Sequence, residues 1–513
     1  MGNQISKNNK QIAKNTIFLY FRMLLTMAVS LYTSRVILQT LGVEDYGIYN
    51  VVGGVVTMFV FINSSMVSST QRYITYALGK NDFELLKRTF STSLQIHAII
   101  SLIIIILSET IGLWFLHEKM VIPESRMSAA LVVYQCSVIT CVVSVMSAPY
   151  NADIIAHEKM SAFAYISILE VVLKLVVVYL LTLFPYDRLI TYAILILCTQ
   201  MLIRFVYAHY CHKHFGEARY YRVTDKSLLK EMSSFAGWSL FGSFSVVCCN
   251  QGVNILLNTF FGPIVNAARG IAVSVQSAVN GFSGNFQTAL KPQIIKTYAI
   301  GHLEEHRQLI FMACKFSACL LMIISLPILL ETEVILKLWL GNLPEYTVNF
   351  IRIILLLSIW DSTAYPLATS VQAVGKIRTY QLVVSAVILL VLPLSYVVLK
   401  YIPNPDLALL IHFLVAVLAQ IVRLCFLKNY IKLNIIEFIK KVYIPIVFSL
   451  TISLLASYTL FNYFDTSNLK FILTTLFSVI IGIVTSYLIV LNSKERLFVN
   501  NTIHNLFLKI TKK

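Results

Sequence analysis

The sequence predicts an all-α polytopic membrane protein with about fourteen transmembrane helices: two six-helix parallel repeats plus two extra C-terminal helices. Three observations predict it. Only 13% of the 513 residues are charged against 58% hydrophobic, with a mean hydropathy of +0.76; a soluble surface carries about twice that charge. Apolar runs of about 20 residues, the length that crosses a bilayer, recur from end to end. The basic residues gather in alternate connections between those runs.

Taken in order, the first six spans fall near 14–41, 47–74, 89–113, 127–152, 160–184 and 188–210. The second six fall near 232–259, 264–290, 308–331, 346–373, 379–400 and 406–427, and two more near 442–463 and 469–491. The first run follows a polar head, 1–15, and is too long for the apolar region of a signal peptide, so it is expected to stay as a transmembrane helix. The nine cysteines lie mostly inside apolar runs and show no CxxC spacing, which suggests neither a disulfide framework nor a metal site.

The formal net charge is +17. Its placement argues against nucleic-acid binding. Of the basic residues, roughly 26 fall on one face of the alternating topology and roughly 6 on the other, the imbalance that orients membrane proteins. The rich face carries Lys80, Lys87 and Arg88, then Lys213 to Lys230, Lys291 to Arg307, Lys376 and Arg378, and Lys428 to Lys441. Both termini share that face, so both are expected in the cytoplasm.

The chain also repeats itself. Leu38-Gln39-Thr40-Leu41-Gly42 closes the first span and Gly79-Lys80-Asn81-Asp82 follows the second. About 220 residues later, Leu257-Asn258-Thr259-Phe260-Phe261-Gly262 and Gly301-His302-Leu303-Glu304 stand at matching places. Parallel halves of this kind put a substrate path between them. The expected division is a first lobe over 1–212, a second over 213–430, and an extra helix pair with tail over 431–513.

Polar residues inside the spans are the candidates for function, because a charge in hydrocarbon costs several kcal/mol unless it is paired or wet. The eighth span carries Asn266, Arg269, Gln276, Asn280, Ser283 and Gln287 three or four apart, with Val273 filling one slot. The seventh repeats the pattern with Asn250, Asn254 and Asn258, and the second with Ser65, Ser69, Arg72 and Tyr76. Such stripes either glue helices together or line a hydrated lumen; two of the three carry arginine, which favours the lumen. Arg35 and Arg269 sit in the outer halves of their spans with no acidic residue one turn away. Their planar forks suit phosphate oxygens. Glu170 and Lys174 are spaced to pair on one face, whereas Asp153, Glu170 and Asp361 are the acidic candidates for ion coupling, Asp361 foremost.

With these residues in hand, the chain resembles the Wzx-type polysaccharide flippases of the multidrug/oligosaccharidyl-lipid/polysaccharide (MOP) exporter superfamily. The resemblance covers essentially the whole chain. It rests on the span count, the repeat, the first hairpin from Ser34-Arg35-Val36-Ile37-Leu38 to Leu41-Gly42-Val43-Glu44-Asp45-Tyr46-Gly47-Ile48-Tyr49, the run Ser68-Ser69-Thr70-Gln71-Arg72-Tyr73-Ile74, and Asn266-Ala267-Ala268-Arg269-Gly270. It implies that an undecaprenyl-diphosphate-linked oligosaccharide is flipped from the cytoplasmic to the periplasmic leaflet of a bacterial inner (plasma) membrane by alternating access, for O-antigen, capsule or exopolysaccharide assembly. Arg35, Arg72 and Arg269 would bind diphosphate, and Asn250, Asn254, Asn266, Gln276 and Asn280 would meet sugar hydroxyls. The implied partners are lipid-linked oligosaccharide, membrane lipid, and a polysaccharide polymerase and ligase complex. No cofactor or enzymatic chemistry is expected, with proton or sodium as the coupling ion. The alternatives are a multidrug antiporter of the same superfamily, which usually carries an acidic residue in a first span that here has none, and a membrane glycosyltransferase or polymerase, which needs larger outer loops.

Overall fold

The computed structural model describes residues 2–501 apart from 58–59, 119, 121, 184–186, 223–224, 341–343, 464–467 and 498. Every regular element among the described residues is helical. Eleven helices are long and apolar enough to cross a membrane, beginning with Phe83–Glu118 and ending with Lys470–Val490. The remaining three spans of the fourteen-helix fold are the two carried by Gly2–Thr57 and Val60–Lys80, and the eighth, Pro263–Ile300. The eighth misses the apolar criterion because of its polar stripe, which is the residue pattern that singled it out.

Backbone punctuation follows the sequence repeat. Gly2–Thr57 is broken at Gly42, with φ 80° and ψ 169°, and Gly262 before the eighth span has φ 79° and ψ −170°. Both conformations are essentially closed to side-chain-bearing residues. The residues that end the second and eighth spans, Asn81 and Gly301, are both left-handed at φ 54° and 87°. Asn81 and Gly301 stand at the same offset as Gly42 and Gly262, so the two halves begin with one hairpin design used twice.

Two units emerge, Asn15–Leu240 and a second beginning at Phe241. In the first, the fourth span packs chiefly on the sixth and the second. One end of that unit is tied by Arg126, which donates to Asp45 at 2.9 and 2.5 Å and to Asp187 at 2.5 Å. These residues belong to the connections after the first, third and fifth spans, so three alternate connections meet at one end, as the span order requires. At the opposite end Arg88 pairs with Asp225. The Asp187 carboxyl, raised by burial alone, is held below its ordinary value by Arg126 and by the Ile190 and Leu189 amides.

The second unit packs the seventh, eighth, ninth, tenth and twelfth spans around Leu257, Ala268, Ala272, Leu326, Phe350 and Leu409. The tenth span is interrupted at 362–363, between Thr347–Asp361 and Ala364–Val374. The last two spans lie on the ninth. Small and hydroxylic residues permit that approach: Ser449, Ser453, Ser457 and Ser478 are buried, and Ser453 and Thr485 share a 2.7 Å hydrogen bond.

Candidate functional site

The seventh and eighth spans leave the Gly262 turn side by side, which sets Asn250 and Asn254 opposite Arg269. Arg269 is only 2% exposed. Its Nε donates to Asn254 Oδ1 at 2.5 Å and its Nη2 to the Asn250 carbonyl at 3.5 Å. A second contact orders Asn254, whose amide donates to Gln251 Oε1 at 3.0 Å. Neutral oxygens thus hold the guanidinium without cancelling its charge, and no carboxylate pairs with it among the described residues. His412 of the twelfth span lies near enough to feel that charge. It was absent from the sequence-derived set; its one signal there was a titratable ring in the middle of an apolar run.

The rest of the stripe divides along the helix. Gln276 donates to Ser358 Oγ at 3.0 Å. Gln287 is buried and reaches Ser283 Oγ, Ser317 Oγ and the Ser362 carbonyl at 2.9, 3.2 and 2.9 Å, closing the break in the tenth span. At this end the stripe is helix–helix glue. Toward the Gly262 end Asn266 is half-buried and Asn250 is exposed, its amide donating to the Val246 carbonyl at 3.1 Å, and farther along the eighth span Asn280 is exposed. Asp361 sits where the tenth span breaks, half-buried, with Arg423 as a counter-charge acting on it but no direct ion pair among the described residues.

In the first unit, Arg72 is 6% exposed and stacked among the rings of Tyr73, Tyr76 and Phe235 at 4.4, 5.0 and 5.4 Å. Glu170 receives Lys174 at 2.7 Å and the Gln200 amide at 3.1 Å, so its charge is neutralised on its own helix face. Asp153 is fully buried beside His157. The Arg35 side chain lies outside the described residues. Of the other embedded cations, Lys315 pairs with Glu495 at 3.0 Å, while Arg352 donates to the Leu329 carbonyl at 3.2 Å. Glu495 escaped sequence reasoning because it lies after the last span, 180 residues from Lys315.

No family model and no curated protein matches the chain. Solved structures do. A Vibrio cholerae MATE transporter superposes with a TM-score of 0.70 at 17% identity, over 83% of this chain and 98% of that one. A multidrug resistance MATE family transporter of the MOP superfamily, in an outward-facing conformation, gives 0.70 at 14% identity over the same shares. MATE in a bent conformation gives 0.71 at 14% identity, again over 83% and 98%. The chain therefore has the fold of a MATE transporter, with the multi-pass membrane architecture that this fold entails. About a sixth of the chain lies outside the superposition.

Proposed function

We propose that the chain is a transporter that flips an undecaprenyl-diphosphate-linked oligosaccharide from the cytoplasmic to the periplasmic leaflet by alternating access. The observation that carries the reading is the buried Arg269, held by Asn254 and the Asn250 carbonyl with no carboxylate paired to it among the described residues. A guanidinium kept cationic at membrane depth favours an anionic passenger, and its planar fork matches a diphosphate. The exposed Asn250 and Asn280, with the half-buried Asn266, suit sugar hydroxyls. In this reading both termini lie in the cytoplasm of a bacterial inner membrane, as the distribution of basic residues favours.

Multidrug export is the second reading, and the names of the fold neighbours favour it about as well. Against it stands the lack of any acidic residue in 15–41, together with an arginine where a cationic drug would need a carboxylate. Deleting the protein in its own host separates the two. The flippase reading expects the complete diphosphate-linked repeat unit to accumulate on the cytoplasmic side while surface glycan is lost. Normal glycan with new sensitivity to cationic compounds would establish the drug pump instead.

A further inference from the structure

Away from the polar stripes, three residues that the sequence keeps apart converge at one end of the first unit. Asp153 and His157 stand one turn apart at the end of the fourth span, and Glu217 lies in the short turn Gly216–Ala218 after the sixth. His157 Nε2 is 2.6 Å from Glu217 Oε1 and 3.7 Å from Asp153 Oδ1. One ligand-type atom from each of the three lies within 4.8 Å of the others. The ring of His157 is stacked flat on Phe215, with centroids 4.1 Å apart and 7° between planes, which fixes the direction of its nitrogen.

Burial makes this cluster unusual. Asp153 is 0% exposed and Glu217 2%. Both carboxylate oxygens of Asp153 lack any hydrogen-bond partner. No lysine or arginine pairs with either carboxylate among the described residues. A proton on His157 would lie 2.6 Å from Glu217 and 3.7 Å from Asp153, one positive charge between two carboxylates. With both carboxylates ionised and the imidazole neutral, two positive charges at the point they share would balance the cluster.

We propose that Asp153, His157 and Glu217 form a binding site for a borderline divalent cation of the zinc class. The donor set selects the ion. Calcium and magnesium take six or more oxygens, whereas one imidazole nitrogen with two carboxylates is a zinc-type set that leaves a fourth position for water. A monovalent ion would leave a net negative charge in a closed site. The neighbouring Cys211 thiol already donates to the Tyr150 carbonyl at 3.5 Å and is not a ligand. The imidazole, 23% exposed, provides the entry path. A bound ion would lock the end of the fourth span to the turn from which the chain runs on to the seventh, a role independent of the identity of the passenger.

The test uses the full chain, purified in detergent with a tag free of histidine. Metal analysis is expected to find about one zinc per chain. Chelation should lower the unfolding temperature by several degrees, and zinc but not magnesium or calcium should restore it. Cobalt substitution should give the visible absorption of a four-coordinate nitrogen–oxygen site. Asp153→Asn and Glu217→Gln should each lose the metal, and a His212→Ala/His214→Ala variant should keep it. If Asp153→Asn does not fold, the part-exposed His157→Gln carries the comparison. No stoichiometric metal in the wild-type chain, with no stabilisation by added zinc, would overturn the proposal and leave a proton shared between the two carboxylates. Zinc that disappears only in the His212/His214 variant would equally overturn it.

Discussion

At the residue scale the account turns on Arg269 and what surrounds it. Asn254 accepts from its Nε at 2.5 Å, and removing that acceptor strands a buried donor. Asn254→Ala is expected to destabilise the protein by about 1–3 kcal/mol, measured by thermal unfolding in detergent. Asn254→Asp is the sharper variant. It would pair with Arg269 and keep the fold, but cancel the charge, so transport should fail while folded protein persists. Arg269→Lys keeps the charge and loses the fork; losing one charge-assisted hydrogen bond to the passenger should weaken its binding about ten- to a hundredfold. Full activity in the lysine variant would reduce the role of Arg269 to charge alone. The residue was legible in sequence because it stood in a span without an acidic neighbour one turn away, and Asn254 because it shared the helical spacing of Asn250 and Asn258. Gln276 and Gln287 were legible as polar but not as glue, since their partners Ser358, Ser317 and the Ser362 carbonyl come from spans 30 to 82 residues away.

At the element scale, periodicity and glycine placement carried the fold. Span order, the Gly42 and Gly262 turns and the left-handed ends at Asn81 and Gly301 all follow from patterns visible in one dimension. Gly262→Ala tests the turn. Nothing lies within 4 Å of the position a Cβ would take, so the cost is backbone strain alone, about 1–3 kcal/mol; an unchanged unfolding temperature would remove the argument. The break at 362–363 was not legible, because the interruption of the tenth span depends on Gln287 reaching it from the eighth. The Arg126 tie was invisible for the same reason, its partners lying 81 and 61 residues away. Asp187 there titrates below its ordinary value. A depressed value in the folded state means that the stabilisation is complete above the ordinary carboxylate range and fades as the pH falls through the folded value. Asp187→Asn should therefore cost about 1 kcal/mol or less at neutral pH, discounted for a carboxylate that is 31% exposed. The gap between variant and wild type should close below about pH 4, which unfolding scans across pH would read directly.

At the scale of the whole molecule, the last two spans are the departure from a purely duplicated plan, and small hydroxylic residues and one buried ion pair attach them. Serines and threonines seat them on the ninth span, and the tail returns Glu495 to Lys315 with the two side chains only 8% and 4% exposed. Glu495→Gln leaves an uncompensated ammonium and should destabilise the protein by about 3–5 kcal/mol. The double variant Lys315→Met/Glu495→Leu should recover most of that loss, since it removes both charges together; failure to recover would mean that the pair does more than neutralise itself. The decisive question is which passenger moves. The direct measurement is translocation of a prenyl-diphosphate-linked oligosaccharide between the leaflets of proteoliposomes containing the purified chain. The account predicts that the wild-type chain accelerates it and that Asn254→Asp and Arg269→Ala abolish it. Vesicles that leave the lipid-linked glycan in place while moving a cationic dye would contradict it.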